Sequence, residues 1–182
     1  MRKIVAGLFV SLDGVADAPD GWHFPFLTDE WHEVIDAEIA QTDSVLLGRR
    51  TYADFAQLWP NQGSDVPMAD FMNNTRKYVV SSTLETLEWA NSTLLTGPLV
   101  EELTRLKHEP GRNILILGSP TLVQTLLSKG LLDELTLTIC PIVIGTGLRL
   151  FDKVTDRVRL RVLKSRTLSN GVLLVTYQPF DA

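Results

Sequence analysis

A single cysteine, Cys140, excludes any disulfide within the chain and makes the reducing cytoplasm the expected compartment. Set in the apolar run LTLTICPIVIG, it reads as a small buried hydrophobe and not as a reactive thiol. Histidine is scarce too. His23, His32 and His108 are scattered without ligand spacing, so no metal centre is expected. The cysteine count alone rules out zinc-deaminase chemistry, which needs H-x-E with a downstream P-C-x-x-C. Positive charge is in deficit: 17 Lys and Arg stand against 22 Asp and Glu, a formal net charge of −5. That balance argues against a nucleic-acid surface.

Long apolar runs are also missing, so no membrane span is expected. The start, MRKIVAGLFVSLDGVADA, has a basic end, an apolar stretch and an Ala16-Asp17-Ala18 triplet, which outlines a secretion signal. Asp13 interrupts that stretch early, and it reads equally well as a buried strand. The usual nucleotide signatures are absent: there is no G-x-x-x-x-G-K-[ST] and no G-x-G-x-x-G, nor a G-x-S-x-G elbow. Gly145-Thr146-Gly147 lacks a third glycine and reads as a tight turn.

What is present is ordinary globular composition, 45% hydrophobic and 21% charged over 182 residues, enough for one domain spanning 1–182. Residues 3–12 form the near-continuous apolar run of a strand buried on both faces. Gly14, Asp17, Pro19, Asp20 and Gly21 mark a loop. Thr28 suits the cap of a helix with Asp29 and Glu30 in its first turn and an apolar stripe of Trp31, Val34, Ile35 and Ile39. A strand over 44–48 leads into a helix over 49–58, followed by a polar loop from Pro60 to Pro67 and a helical turn over 69–74.

KYVVSS and STLLT (92–96) read as strands, and Pro98 opens a helix to Lys107, stopped by Pro110 and Gly111. NILILG is a strand. SPTLVQTLLSKG is a helix with Ser119 as its cap, and DELTLTICPIVIG is one long strand. RVRLRVLKSRTL and VLLVTYQPF alternate as two strands joined through Ser169-Asn170-Gly171, a hairpin signal. Strand–helix alternation closing in a hairpin predicts a three-layer α/β domain, a mixed sheet with helices on both faces.

Polar junctions carry the chemistry. At Gly48-Arg49-Arg50-Thr51 a glycine admits a ligand to the backbone, the N–H groups of the helix start accept anions, and two arginines add forked donors. Cations beside the positive end of a helix dipole are unfavourable when idle, which points to an anionic ligand. Ser81-Ser82-Thr83 after YVV is either a hydroxyl cluster for phosphate or ribose, or a plain turn. Gly118-Ser119-Pro120-Thr121 after NILIL is either a second dipole-assisted anion site or an ordinary capped helix. Asp13 ends an apolar strand, where a carboxylate is costly unless paired or used. It is either a turn-forming Asp-Gly or a functional acid.

In their order and spacing, SLDG, LLGRRTY, VVSS, ILGSPTLVQTLL, GLLDELTLTICPIVIGTGLRLF and the final hairpin resemble the dihydrofolate reductase superfamily. Within it they are most similar to the reductase (C-terminal) domain of the bacterial bifunctional riboflavin-biosynthesis deaminase/reductase, in stand-alone form. The resemblance implies a dihydrofolate reductase-like fold that binds NADPH at the carboxyl ends of the strands. Gly48, Arg49, Arg50 and Thr51 would take cofactor phosphates, the arginines favouring a 2′-phosphorylated dinucleotide. Ser81 and Ser82 would help hold the adenosine phosphate, and Gly118, Ser119, Thr121 and Leu122 would cradle the pyrophosphate and nicotinamide side.

The implied reaction is hydride transfer to a C=N unit or a ring-opened ribosylamine carbon, as in 5-amino-6-(5-phosphoribosylamino)uracil reductase, on an aminouracil riboside or pterin-like small molecule. Asp13 would supply a proton or polarise the substrate, with Asp29 and Glu30 as substitutes. A homodimer is implied as well. A pterin or dihydrofolate reductase, or a ligand-binding descendant without catalysis, are the alternatives. Two departures stand out. Gly118-Ser119 replaces an expected pair of glycines, so the pyrophosphate would meet a side chain. VADAPDGWHFPF is acidic and aromatic where a basic or polar stretch is expected, and Trp22, Phe24 and Phe26 either line a flat apolar pocket or pack as core.

Overall fold

The structure, a computed structural model, describes residues 1–17 and 21–180. Pro19, Asp20 and Ala18, noted above in the first loop and the alanine triplet, lie outside the described residues. Eight strands form one sheet: β1 (Ile4–Ser11), β2 (Thr42–Gly48), β3 (Arg76–Val80), β4 (Ser92–Leu95), β5 (Asn113–Leu117), β6 (Glu134–Cys140), β7 (Leu160–Thr167) and β8 (Leu173–Pro179). Their order is β4-β3-β2-β5-β1-β6-β8-β7. The first six pair in parallel, and β8 runs antiparallel to both β6 and β7. Five α-helices connect them: α1 (Asp29–Ala40), α2 (Arg49–Leu58), α3 (Ala69–Asn74), α4 (Leu99–His108) and α5 (Pro120–Ser128). The expected mixed sheet is present, and none of these helices is long and apolar enough to cross a membrane.

Alternation along the strands sorts the core into layers. Ile4, Ala6, Leu8 and Val10 of β1 face Leu103 and Leu106 of α4 and Leu122, Val123, Leu126 and Leu127 of α5. On the opposite face Val45, Leu47 and Val79 meet Tyr52 of α2, Met72 of α3 and Trp89. Phe9 continues that face with Trp31 and Val34 of α1 around Cys140 and Leu174. Each fully buried leucine or valine contributes about 1.5–3 kcal/mol, so the helices are fixed to the sheet by burial more than by their own propensities.

Local signals set most helix ends. Thr28 Oγ1 accepts the Trp31 N–H at 3.4 Å as the cap of α1. Ser119 occupies the cap position of α5, but with φ 57° and ψ 60° its side chain does not cap that helix. The run DELTLTICPIVIG is not one strand. Pro141 has no N–H for the ladder, so β6 stops at Cys140 and the Ile142 N–H turns back to the Cys140 carbonyl at 2.8 Å. The chain from Pro141 to Leu150 then folds over the end of β1: Leu12 donates to Ile142 O at 2.8 Å, Ala16 to Leu148 O at 2.9 Å, and Leu150 to Gly14 O at 2.9 Å.

Lys77, at the start of β3, is fully buried. Its Nζ donates to the carbonyls of Thr75 (2.8 Å), Ala90 (3.0 Å) and Asn73 (3.3 Å) and lies 4.3 Å from the centre of the Trp89 ring. No carboxylate pairs with it among the described residues, and burial pushes its pKa down to about 8.

Candidate functional site

The sheet order places a reversal of winding between two neighbouring strands. From β2 the chain passes through α2 to β3 on one side. From β5 it passes through α5 to β6, beyond β1, on the other. β2 and β5 are adjacent, with Val45 opposite Leu115, so α2 and α5 start together and depart to opposite faces. A crevice at the carboxyl ends of such a pair is where open α/β sheets bind ligands.

Five of the candidate residues meet there. The Gly48 N–H donates to Ser119 Oγ at 3.0 Å, and the Ser119 hydroxyl donates to Thr51 Oγ1 at 2.7 Å. A Cβ on Gly48 would lie 3.2 Å from Ser119 Oγ and 3.9 Å from Leu122 Cβ. Gly118, at φ 72°, would bring a Cβ within 3.4 Å of Thr51 Cγ2. Ser119 is itself left-handed, so two consecutive residues hold a backbone conformation that a non-glycine adopts at about 1 kcal/mol or more. Its side chain is buried and turns toward α2, so it does not project as the sequence led us to expect.

The first-turn N–H groups of Arg49, Arg50 and Thr51 on α2, and of Thr121 and Leu122 on α5, stand at helix starts, where such groups have no acceptor within their own helix. Pro120 has no N–H to offer. Arg49 and Arg50 are both exposed, and neither has a hydrogen-bond or ion-pair partner among the described residues. Ser81 and Ser82 follow β3 next door, where Gly48 pairs with Val80. Ser81 Oγ accepts from the N–H of Leu84 (3.0 Å) and of Thr83 (3.1 Å), closing a turn, while Ser82 is exposed.

Asp13 lies two residues beyond the end of β1, the strand next to β5. Its carboxylate accepts from Ser11 Oγ (2.7 Å), the Gly145 N–H (2.8 Å) and the Ile144 N–H (3.0 Å), and Arg149 Nη2 lies 3.8 Å away. The hydrogen bonds from Ile144, Ser11 and Gly145 hold its pKa down at about 2. At neutral pH Asp13 is therefore a carboxylate with no proton to give, and it fastens the Gly145-Thr146-Gly147 turn to the end of β1. Position 147 (φ 118°) requires glycine, since a Cβ there would meet Val15 Cγ1 at 2.8 Å. Glu30 is committed elsewhere, accepting from Ser169 Oγ (2.6 Å) and N–H (2.8 Å), bonds that lower its pKa. Asp29 is exposed in the first turn of α1.

Beside the end of β1 lies a run of aromatic rings. Phe9 is 4.8 Å from His23 and 5.2 Å from Trp31, centroid to centroid, and His23 is 4.5 Å from Phe24. Trp22 and Phe26 are half-buried against the Cys140 cluster, whereas Phe24 stays 61% exposed. Core packing thus accounts for Trp22 and Phe26, and Phe24 is left at the surface. Arg149 and the Ile144 and Gly145 N–H groups were missed in the sequence: a lone arginine after G-T-G-L has no pattern to mark it. Cys140 is buried, its pKa pushed up to about 12 by desolvation, and takes no part in the site.

Comparison with known proteins bears on this geometry. The family model of the RibD C-terminal domain matches residues 2–174. The protein YyaP of Bacillus subtilis (strain 168) is 31% identical over 179 residues, covering 97% of this chain and 94% of that protein. A putative riboflavin biosynthesis protein from Shewanella sp. PV-4 has a similar structure, with TM-score 0.78 and 20% identity over 99% of this chain and 100% of that one. A diaminohydroxyphosphoribosylaminopyrimidine deaminase/5-amino-6-(5-phosphoribosylamino)uracil reductase from Thermotoga maritima is similar with TM-score 0.67 and 20% identity, over 98% of this chain and 57% of that one. A dihydrofolate reductase from Enterococcus faecalis gives TM-score 0.63 and 16% identity, over 98% and 97%. At these identities the solved structures establish the fold, which is dihydrofolate reductase-like.

Proposed function

The chain belongs to the RibD C-terminal domain family, and from that premise we propose that it is an NADPH-dependent reductase acting on a small heterocyclic substrate. The observation that carries this reading is the meeting of α2 and α5 at the reversal between β2 and β5, with the exposed side chains of Arg49 and Arg50 beside it and unpaired among the described residues. The donor set fits a phosphorylated dinucleotide: first-turn N–H groups from two helix starts, a hydroxyl at Thr51, and two exposed guanidinium groups on an acidic protein. Gly48, Thr51, Gly118, Thr121 and Leu122 would hold the pyrophosphate. Arg49, Arg50, Ser81 and Ser82 would hold the adenosine phosphate. When bound, the reduced nicotinamide supplies a hydride to a C=N or ring-opened ribosylamine carbon.

This chain's own residues then position the reactants and manage charge. Asp13, fixed as an anion, favours the protonated, cationic form of a C=N group, which is the better hydride acceptor. The proton itself comes from water. Phe24, exposed at the end of the aromatic run, would offer a ring to a flat heterocycle of the aminouracil riboside or pterin kind. The reading includes a cytoplasmic homodimer. Every residue of the edge strand β7 after Leu160 is exposed, and Val162, Leu163 and Leu173 leave an apolar surface open on the hairpin. Light scattering tests the dimer directly.

The cofactor assignment is tested by replacing both arginines with glutamine and titrating NADPH and NADH against each protein. Loss of two charge-assisted contacts should weaken NADPH binding by at least tenfold and leave NADH little changed. Equal affinities in wild type and variant would remove Arg49 and Arg50 from the site.

A further inference from the structure

Ser119 stands where the resemblance leads one to expect a glycine, and its side chain is the obvious candidate for an obstacle. The geometry points the other way. Ser119 Oγ accepts the Gly48 N–H at 3.0 Å, so its own hydrogen is free to be donated, and it goes to Thr51 Oγ1 at 2.7 Å. A hydroxyl that accepts one bond keeps its own proton for another partner. The Thr51 hydroxyl proton has no acceptor among the described residues, and it lies between the starts of α2 and α5. The three groups thus form a one-way chain from the β2 backbone through Ser119 to Thr51. Each bond in such a chain polarises the next.

We infer that Ser119 is a positioning residue: it fixes Thr51 as a hydrogen-bond donor toward the cofactor phosphates and sets the spacing of the two helix starts. The backbone of Ser119 supports this assignment. A left-handed serine is strained, and glycine at this position would be relaxed. The bridge from Ser119 to Gly48 and Thr51 gives the strained residue a function that glycine could not serve.

This inference rests on the cofactor reading above, and the test separates the two. NADPH dissociation constants are measured for wild type, Ser119→Gly, Ser119→Ala, Thr51→Val and the Ser119→Gly/Thr51→Val double variant. Urea unfolding confirms that each is folded, and Ser119→Gly, free of backbone strain, serves if Ser119→Ala does not fold. The expected result is a roughly tenfold weaker NADPH affinity for Ser119→Gly and for Thr51→Val, the loss of one hydrogen bond to a charged group. The double variant should be no weaker than Thr51→Val alone. Unchanged or tighter binding by Ser119→Gly would overturn the inference, as would losses in the double variant that multiply. Failure of wild type to bind NADPH at all would instead overturn the cofactor reading, and the inference with it.

Discussion

Gly48→Ala adds one methyl group to the junction of β2 and α2, and its effect can be worked from the structure. Gly48 has φ −78° and ψ 161°, extended values open to any residue, so alanine brings no backbone strain. Replacing glycine where the backbone is compatible stabilises by about 0.4–1 kcal/mol, through the unfolded chain. Against this, the new methyl would sit 3.2 Å from Ser119 Oγ and 3.6 Å from Ser119 Cβ. Ser119 is held by two hydrogen bonds and a buried left-handed backbone, so it yields poorly. Overpacking of this kind costs about 1–3 kcal/mol. The balance is a loss of about 1 kcal/mol, or about 2–4 °C in Tm for a domain of this length. Thermal unfolding and urea titration read it directly. Combining Gly48→Ala with Ser119→Gly removes the two nearest atoms that the methyl meets, leaving Leu122 Cβ at an ordinary contact distance of 3.9 Å, and should restore stability. A Gly48→Ala protein as stable as wild type, with no gain from the second change, would refute the packing argument.

Asp13→Asn keeps the size but loses the charge and two acceptor sites, so the turn at Gly145 should loosen. Faster amide exchange at Ile144 and Gly145 is expected, together with reduced turnover. Because the Asp13 pKa falls on folding, its contribution to stability is complete above about pH 4 and is lost as pH drops through about 2. Acid unfolding of wild type, but not of Asp13→Asn, should show that component. Lys77 has the opposite sign. Its folded pKa of about 8 lies below the ordinary 10.5, so the folded state binds fewer protons between these values and gains stability as pH rises through them. The stability difference between wild type and Lys77→Met should rise over that window; a flat difference would mean that the ammonium is not desolvated. Cys140 should resist thiol reagents in the native protein at neutral pH and react only after unfolding.

Much of this architecture was legible because local chemistry and tertiary packing agree. Thr28 marks the start of α1 through its own hydroxyl. Ser169-Asn170-Gly171 marks the turn into β8, where the Gly171 N–H returns to Leu168 O at 3.0 Å with φ 85°. Gly48-Arg49-Arg50-Thr51 sits at a strand-to-helix junction as expected. Other features depend on partners far along the chain. Asp13 meets Ile144 and Gly145 across more than 130 residues, and nothing near SLDG announces that clamp. Lys77 looks like an ordinary charged strand start, and only the fold of 73–75 and 89–90 around it explains its burial. Ser119 before Pro120 has the composition of a helix cap, yet its hydroxyl is drawn across the crevice to Thr51. Pro141 alone marks the end of β6 in the sequence: a proline inside an apparent central strand argues for its end.

The most direct test of the account is a fluorescence titration of the purified wild-type protein with NADPH and with NADH. Binding of NADPH in the micromolar range or tighter, at least tenfold stronger than NADH, is the result that the proposed role of Arg49 and Arg50 at the paired helix starts predicts. Absence of binding by either dinucleotide would contradict the account and leave the crevice between α2 and α5 without its ligand.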